Sequence, residues 1–159
     1  MREKQIYVMC GVPGCGKSTW ARKNAKPGHS AIISRDRIRF DLLAPNDDYF
    51  KHEDEVLEQF YKQINMAIES PWVDEIYIDA THLNERSRNT LLDNIDVFAA
   101  TELIMVWFNV SLETCLERNA QRAGRALVPE KAVRNMYKSF QQPIYDEKYE
   151  YDNIIEVSE

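Results

Sequence analysis

The chain has 159 residues, 44% of them hydrophobic and 29% charged, with a formal net charge of −6. This composition belongs to ordinary globular domains and excludes disordered, fibrous and membrane-embedded classes; a domain of this length hides roughly two-thirds of its unfolded surface, so one folded unit over residues 1–159 is expected. The acidic balance excludes a protein that coats long nucleic acid non-specifically, because that binding is driven by phosphate neutralisation.

In chain order, QIYVMC at 5–10 is a short apolar run ending at glycine, the pattern of a buried strand that feeds a turn, and a helical pattern begins at Lys17. AIIS at 31–34 predicts a second strand, and Asp36–Leu43 a helix that Pro45 ends. Residues 53–69 place Val56, Leu57, Phe60, Ile64, Ala67 and Ile68 at helical spacing, with the acids reading as a solvated face. EIYIDA at 75–80 predicts a third strand, and Asn84 is placed to cap the helix after it. LIMVWFNV at 103–110 predicts a fourth strand, and Ser111 the cap of a helix over 112–120. Pro129 suits the first turn of a helix running to about Phe140, and DNIIEV near the end of the chain supplies a fifth strand. Alternating strands and helices with nearly continuous apolar strands imply an α/β fold of three layers, α/β/α, around a parallel sheet of about five strands. Ligands of such sheets bind beyond the carboxyl ends of the strands.

Cys10, Cys15 and Cys115 form no CxxC pair and have no histidine at metal spacing, so a disulfide partner or zinc site is not expected and reduced thiols in a cytoplasmic protein are. His29, His52 and His82 are scattered, with surface or turn roles the expectation. The stretch MREKQIYVMCG has too short an apolar run for a signal-peptide core or membrane span, so neither export nor membrane attachment is expected.

GVPGCGKS, Gly11–Ser18, fits G-x-x-x-x-G-K-[ST] between a strand and a helix, the context the motif requires. Its glycines let backbone N–H groups converge on oxygen anions, and the helix opening at Gly16 aims its positive end at them. Gly11, Val12, Pro13, Gly14, Cys15, Gly16, Lys17, Ser18 and Thr19 are therefore candidate ATP contacts, Lys17 reaching the β- and γ-phosphates and Ser18 ligating Mg²⁺.

Three further segments bear on where the phosphate goes. In SRDRIRF, Asp36 and Arg39 are three residues apart, so a helix there sets a carboxylate beside a guanidinium: a general base for an acceptor hydroxyl and a grip for an anionic acceptor, or simply a helix cap with a surface ion pair. Asp79 closes the third strand, where it can orient a Mg²⁺-bound water, hold an arginine, or form an Asx turn. RNAQRAGRALVP, 118–129, carries Arg118, Arg122 and Arg125 and reads as a lid that closes positive charge over a triphosphate, or as a solvated basic helix end.

Together GVPGCGKSTWAR, SRDRIRF, YIDATHLNERSR and RNAQRAGRALVPEKAVRNMYKSF resemble, in order and over most of the chain, the kinase domain of phage and bacterial polynucleotide 5′-hydroxyl kinases, a branch of the adenylate-kinase-like P-loop kinases. The resemblance implies ATP and Mg²⁺ as cofactors, a nucleic-acid 5′ end as acceptor, Asp36 as general base and Arg39 on the phosphate next to the 5′-hydroxyl. It makes Lys17 and Ser18 donor-side residues, Arg122 the lid arginine with Arg118 and Arg125 assisting, and Asp79 a functional carboxylate of open role. Two departures stand out: Arg37 where an acid is expected, and a lid one residue longer. No DxDGT motif is present, so a phosphatase half is not expected. Two rival readings remain: a P-loop kinase acting on a small hydroxyl acceptor such as a nucleoside, sugar or antibiotic, and a non-enzymatic module in which ATP orders the lid for a partner.

Overall fold

The apolar runs become five strands: β1 (Gln5–Cys10), β2 (Ser30–Ser34), β3 (Glu75–Asp79), β4 (Glu102–Asn109) and β5 (Asn153–Ser158). In the computed structural model, which describes residues 3–159, they form one sheet in the order β2-β3-β1-β4-β5, with every pairing parallel. Met1 and Arg2 of the expected 1–159 unit lie outside the described residues.

Because side chains alternate along a strand, each central strand feeds both faces. Ile6, Val8 and Cys10 of β1, Ile76 and Ile78 of β3, and Leu103 and Met105 of β4 pack in one cluster with side chains of α2 (Arg35–Leu42), α3 (Glu53–Glu69) and α4 (Glu85–Asp93). Met9, Tyr77, Ile104, Val106 and Phe108 point the other way, onto α1 (Lys17–Asn24), α5 (Leu112–Ala120) and α6 (Glu130–Ser139). This is the three-layer α/β/α architecture. Residues that face helices on both sides have no solvent face to alternate with, which is why these strands read as unbroken apolar runs.

The caps follow local chemistry. Asn84 Oδ1 accepts from the Ser87 N–H at 2.9 Å in a reciprocal capping box, and Ser111 Oγ accepts from Thr114 N–H at 3.2 Å. The helix expected from Asp36 opens one residue earlier: Ser34 Oγ is the cap, accepting from Arg37 N–H, so the Asp36 side chain is not spent on capping. Pro129 stands at the cap of α6 rather than inside its first turn. Two short 3₁₀ turns, Val97–Ala99 and Gly124–Ala126, had no sequence expectation.

His82 departs from the surface reading. It lies in the connection between β3 and α4 with φ of 42° and is buried, its Nδ1 2.7 Å from the Met9 carbonyl oxygen, and burial pushes its imidazole down to about 4. Beside it, fully buried Arg88 donates from Nε and Nη2 to Glu147 at 3.0 and 2.9 Å and from Nη1 to the His82 and Gln141 carbonyls. Tyr151 also donates to Glu147, so α4 is tied to the segment that leads into β5.

All strands being parallel, their carboxyl ends share one edge. The register sets Met9 and Ser34 directly opposite Asp79. The Gly-rich turn after β1, the start of α2 and the end of β3 are thereby adjacent by construction, at the place where the strand order reverses around β1.

Candidate active site at the carboxyl edge of the sheet

The Gly-rich turn is shaped by close approach. Gly14 has φ of 85°, and a Cβ there would lie 2.4 Å from the Cys115 carbonyl oxygen; Gly16, φ 100°, sits at the cap of α1. Lys17 is nearly buried, its Nζ donating to the carbonyls of Gly11 and Val12 at 2.9 and 3.1 Å. The ammonium is thus held inside the loop. Val12 and Cys15 are buried beneath it, and Cys10, Cys15 and Cys115 are all free thiols.

Ser18 Oγ donates to Asp79 Oδ2 at 2.6 Å. This gives Asp79 a definite place: it is neither an arginine partner nor an isolated turn former but the neighbour of the P-loop hydroxyl. Two hard oxygen donors side by side at the mouth of an anion-binding loop fit Mg²⁺, which keeps most of its ligands as waters and phosphate oxygens. Among the described residues no group of three or more His, Cys, Asp or Glu is arranged to hold a metal by itself.

A cleft of about 630 Å³ opens above these groups. Lys17, Ser18, Thr19 and Asp79 line one part of it; Asp36, Arg39, Tyr49, Phe50 and Glu53 another; Arg122, Arg125 and Leu127 with Ala132 and Met136 of α6 close the remaining side. Lys17 and Asp36 therefore face one shared space.

Asp36 keeps a 57% exposed side chain and accepts from Arg39 Nη1 and from Tyr49 Oη at 3.2 Å. Arg39 is otherwise engaged. Its Nε donates to Glu53 Oε2 at 3.0 Å, its Nη2 to Glu53 Oε1, its Nη1 to Tyr49 Oη at 2.9 Å, and its guanidinium lies 4.6 Å from the Tyr49 ring centre. Glu53 also accepts from Arg35 Nη2 at 2.8 Å. Burial pushes the Glu53 carboxyl up, but the hydrogen bonds from Arg39 and Arg35 prevail and hold it below the usual carboxylate range. Arg39 is thus not a vacant anion receptor: its charge is matched by Glu53.

The three arginines of segment 118–129 separate. Arg118 Nη1 donates to the Cys15 carbonyl at 3.3 Å and meets the phosphate loop from α5 without lining the cleft. Arg122 lines the cleft and makes a single long contact of 3.5 Å, to the Ala126 carbonyl of its own segment. Arg125 donates from Nη2 to the carbonyls of Ala44, Pro45 and Asp47 at 2.9, 2.7 and 2.7 Å, across the cleft mouth in the connection between α2 and α3.

Among the cleft residues that the sequence reading did not assign are the polar and aromatic Arg35, Tyr49, Phe50 and Glu53. Tyr49 and Phe50 lie in a connection without periodicity, and Glu53 opens the acidic run EDE, whose other members are exposed as expected. Its one distinguishing signal is position, as the first residue of a long helix packed on the helix that carries Asp36.

A family model of an AAA domain, AAA_33, matches residues 6–143. A protein of Autographa californica nuclear polyhedrosis virus, named as a bifunctional polynucleotide kinase/RNA ligase, is 29% identical over 158 residues, covering 86% of this chain and 21% of its own. The chain thus spans about a fifth of the length of that curated relative. Among solved structures, the Pnkp1/Rnl/Hen1 RNA repair complex contains a chain that superposes with a TM-score of 0.72 at 18% identity, covering 87% of this chain and 44% of that one. A gluconokinase from Sinorhizobium meliloti 1021 superposes at 0.61 and 18% identity over 99% of this chain and 84% of that one. No helix among the described residues is long and apolar enough to cross a membrane. With its Gly-rich loop at the switch point of a five-stranded parallel sheet, this chain belongs to the AAA_33 family of AAA domains and has the nucleotide-binding fold of a P-loop kinase.

Proposed function

We propose that the chain is an ATP-dependent phosphotransferase that moves the γ-phosphate to the 5′-hydroxyl of a DNA or RNA end, within one P-loop domain whose lid spans about 118–129. The observation that carries this reading is that Lys17 and Asp36 line the same cleft, the first inside the phosphate loop and the second exposed at the start of α2. The similarity to the viral polynucleotide kinase/RNA ligase supports the choice of acceptor.

In this scheme the loop N–H groups and Lys17 take the phosphate oxygens, Lys17 trading its Gly11 and Val12 carbonyls for them. Ser18 and Asp79 would hold Mg²⁺, which would supply neutralisation of donor charge. The acceptor oxygen attacks phosphorus in line, the bond from phosphorus to the β-bridging oxygen breaks, and ADP carries that electron pair away. Asp36 takes the hydroxyl proton, a contribution of about 10²–10⁴ in rate. Arg39 and Tyr49 aim its carboxylate, and Arg122, with little holding it, supplies lid charge to the transferring group. Arg39 reaches an acceptor phosphate by giving up one of its present partners.

The test is radiolabel transfer from ATP to 5′-hydroxyl oligonucleotides. Asp36→Asn is expected to cut transfer by about 10²–10⁴ while ATP affinity stays within about twofold, since a general base acts in the transition state. Full activity of that variant overturns the base assignment. A second reading, transfer to a small hydroxyl compound, draws on the gluconokinase likeness and on a cleft volume that suits a small ligand. Sugars, nucleosides and 3′-nucleoside monophosphates in the same assay separate the two.

A further inference from the structure

Arg125 was expected to bind the donor, yet the bonds it makes lie on the other side of the cleft. Three carbonyls, of Ala44, Pro45 and Asp47, converge on its Nη2. They belong to the loop 43–52, which leads directly to Tyr49 and Phe50. That loop is also braced from within: Asp47 accepts from Ala44 N–H at 2.8 Å and pairs with Lys51 at 3.0 Å. These bonds fix one half of the loop, while the arginine ties that half to the segment between α5 and α6. Gly124, with φ of 59°, makes the turn from which Arg125 reaches across.

The consequence runs to Asp36 in two steps. Tyr49, carried by the latched loop, donates to Asp36 and accepts from Arg39. Phe50, 64% exposed, sits edge-on to Tyr49 at a ring distance of 4.8 Å and lines the cleft. Release of the loop frees both rings and removes one of the two hydrogen bonds that orient the carboxylate. A second observation is independent of the loop: Arg125 Nη1 is shut off from solvent and has no hydrogen-bond partner. An unpaired, desolvated guanidinium donor beside a ligand cleft is costly until an anionic oxygen takes it.

We propose that Arg125 is a positioning residue for the acceptor: its Nη2 latches loop 43–52 to the lid segment, and its Nη1 takes an anionic oxygen of the acceptor chain. The proposal rests on the phosphotransfer reading above, with Arg122 left as the donor-side lid arginine. It divides the lid, so that closure over the nucleotide and completion of the acceptor subsite are one movement.

Steady-state kinetics with ATP and a 5′-hydroxyl oligonucleotide test it. Arg125→Ala is expected to raise the oligonucleotide KM about tenfold with the ATP KM within about twofold, as loss of charge-assisted hydrogen bonds on one side of the cleft requires. Arg125→Lys, whose single ammonium can donate to the same carbonyls but has no second branch for the acceptor oxygen, is expected to restore the latch and recover only part of the loss. A raised ATP KM with the oligonucleotide KM unchanged, or no change in either, overturns the proposal. Amide hydrogen exchange of loop 43–52 in the free enzyme gives a readout that needs no turnover: Arg125→Ala should speed exchange at Asp47 and Lys51 about tenfold. Unchanged exchange overturns the latch. If the wild-type chain leaves oligonucleotides unphosphorylated, the acceptor assignment fails while the exchange result still decides the latch.

Discussion

Two arginine–carboxylate clusters stand in this molecule, built from the same groups and put to opposite uses. Arg88 and Glu147 are 1% and 2% exposed, and each polar neighbour, the carbonyls of His82 and Gln141 and the Tyr151 hydroxyl, closes the cluster further. Arg39 is also buried and also tied to a glutamate, but that glutamate, Glu53, is 24% exposed and the cluster ends in Asp36, which remains open to the cleft. Breaking a buried pair strands a charge, at about 3–5 kcal/mol, whereas a pair with an open edge lets water repair the loss. The closed cluster is therefore structural cement, and the open one is a device for aiming a carboxylate.

The largest test of that contrast is chemical. Asp36→Asn should cut phosphoryl transfer by about 10²–10⁴ while leaving thermal stability unchanged, which a melting curve beside the transfer assay checks. Next in size, Glu147→Gln should cost about 3–5 kcal/mol in urea unfolding, because Arg88 is left buried without its counter-charge. The double change Arg88→Met with Glu147→Leu should recover part of that loss, since a matched apolar pair strands no charge, although the His82 and Gln141 carbonyls and the Tyr151 hydroxyl lose their partners.

Acidity probes the closed cluster further. His82 is held down to about 4 by burial, against the pull of its bond to the Met9 carbonyl, so the native state carries it neutral. Below about 6.5 the unfolded chain takes up the proton first, so stability is full above that pH and falls as pH drops from about 6.5 towards 4, by up to about 3 kcal/mol. His82→Asn, which tolerates the positive φ, should flatten that slope in denaturant titrations at several pH values. Smallest of all, Glu53→Gln should cost about 1 kcal/mol, because its cluster borders the cleft and water reaches it.

The strands, the helix faces and the phosphate loop were legible because each is written locally, in runs of adjacent residues. Ser111 and Asn84 were readable as caps for the same reason: a cap acts over three residues. The Arg88–Glu147 pair was not, since its members are 59 residues apart and nothing in ERSRN distinguishes a buried arginine from the exposed one two positions before it. Glu53 hid in an acidic run because burial on one side of a helix start depends on where α2 packs. The sequence also paired Asp36 with Arg39 correctly, yet it left unseen that Glu53 would claim most of the arginine. Asp79 was singled out by its place at a strand end, and its hydrogen bond to Ser18 became visible once the parallel register fixed which strand ends are neighbours.

The distance between Arg88 and Glu147 along the chain also matters during translation. A nascent polypeptide that stops short of Glu147 already contains the phosphate loop, α2 and the arginine-bearing segment 118–129, but it carries an arginine destined for the interior with no acid yet made to receive it. Ribosome-stalled chains ended before and after Glu147 are expected to differ sharply in protease resistance, with protection appearing only once that glutamate has emerged from the exit tunnel.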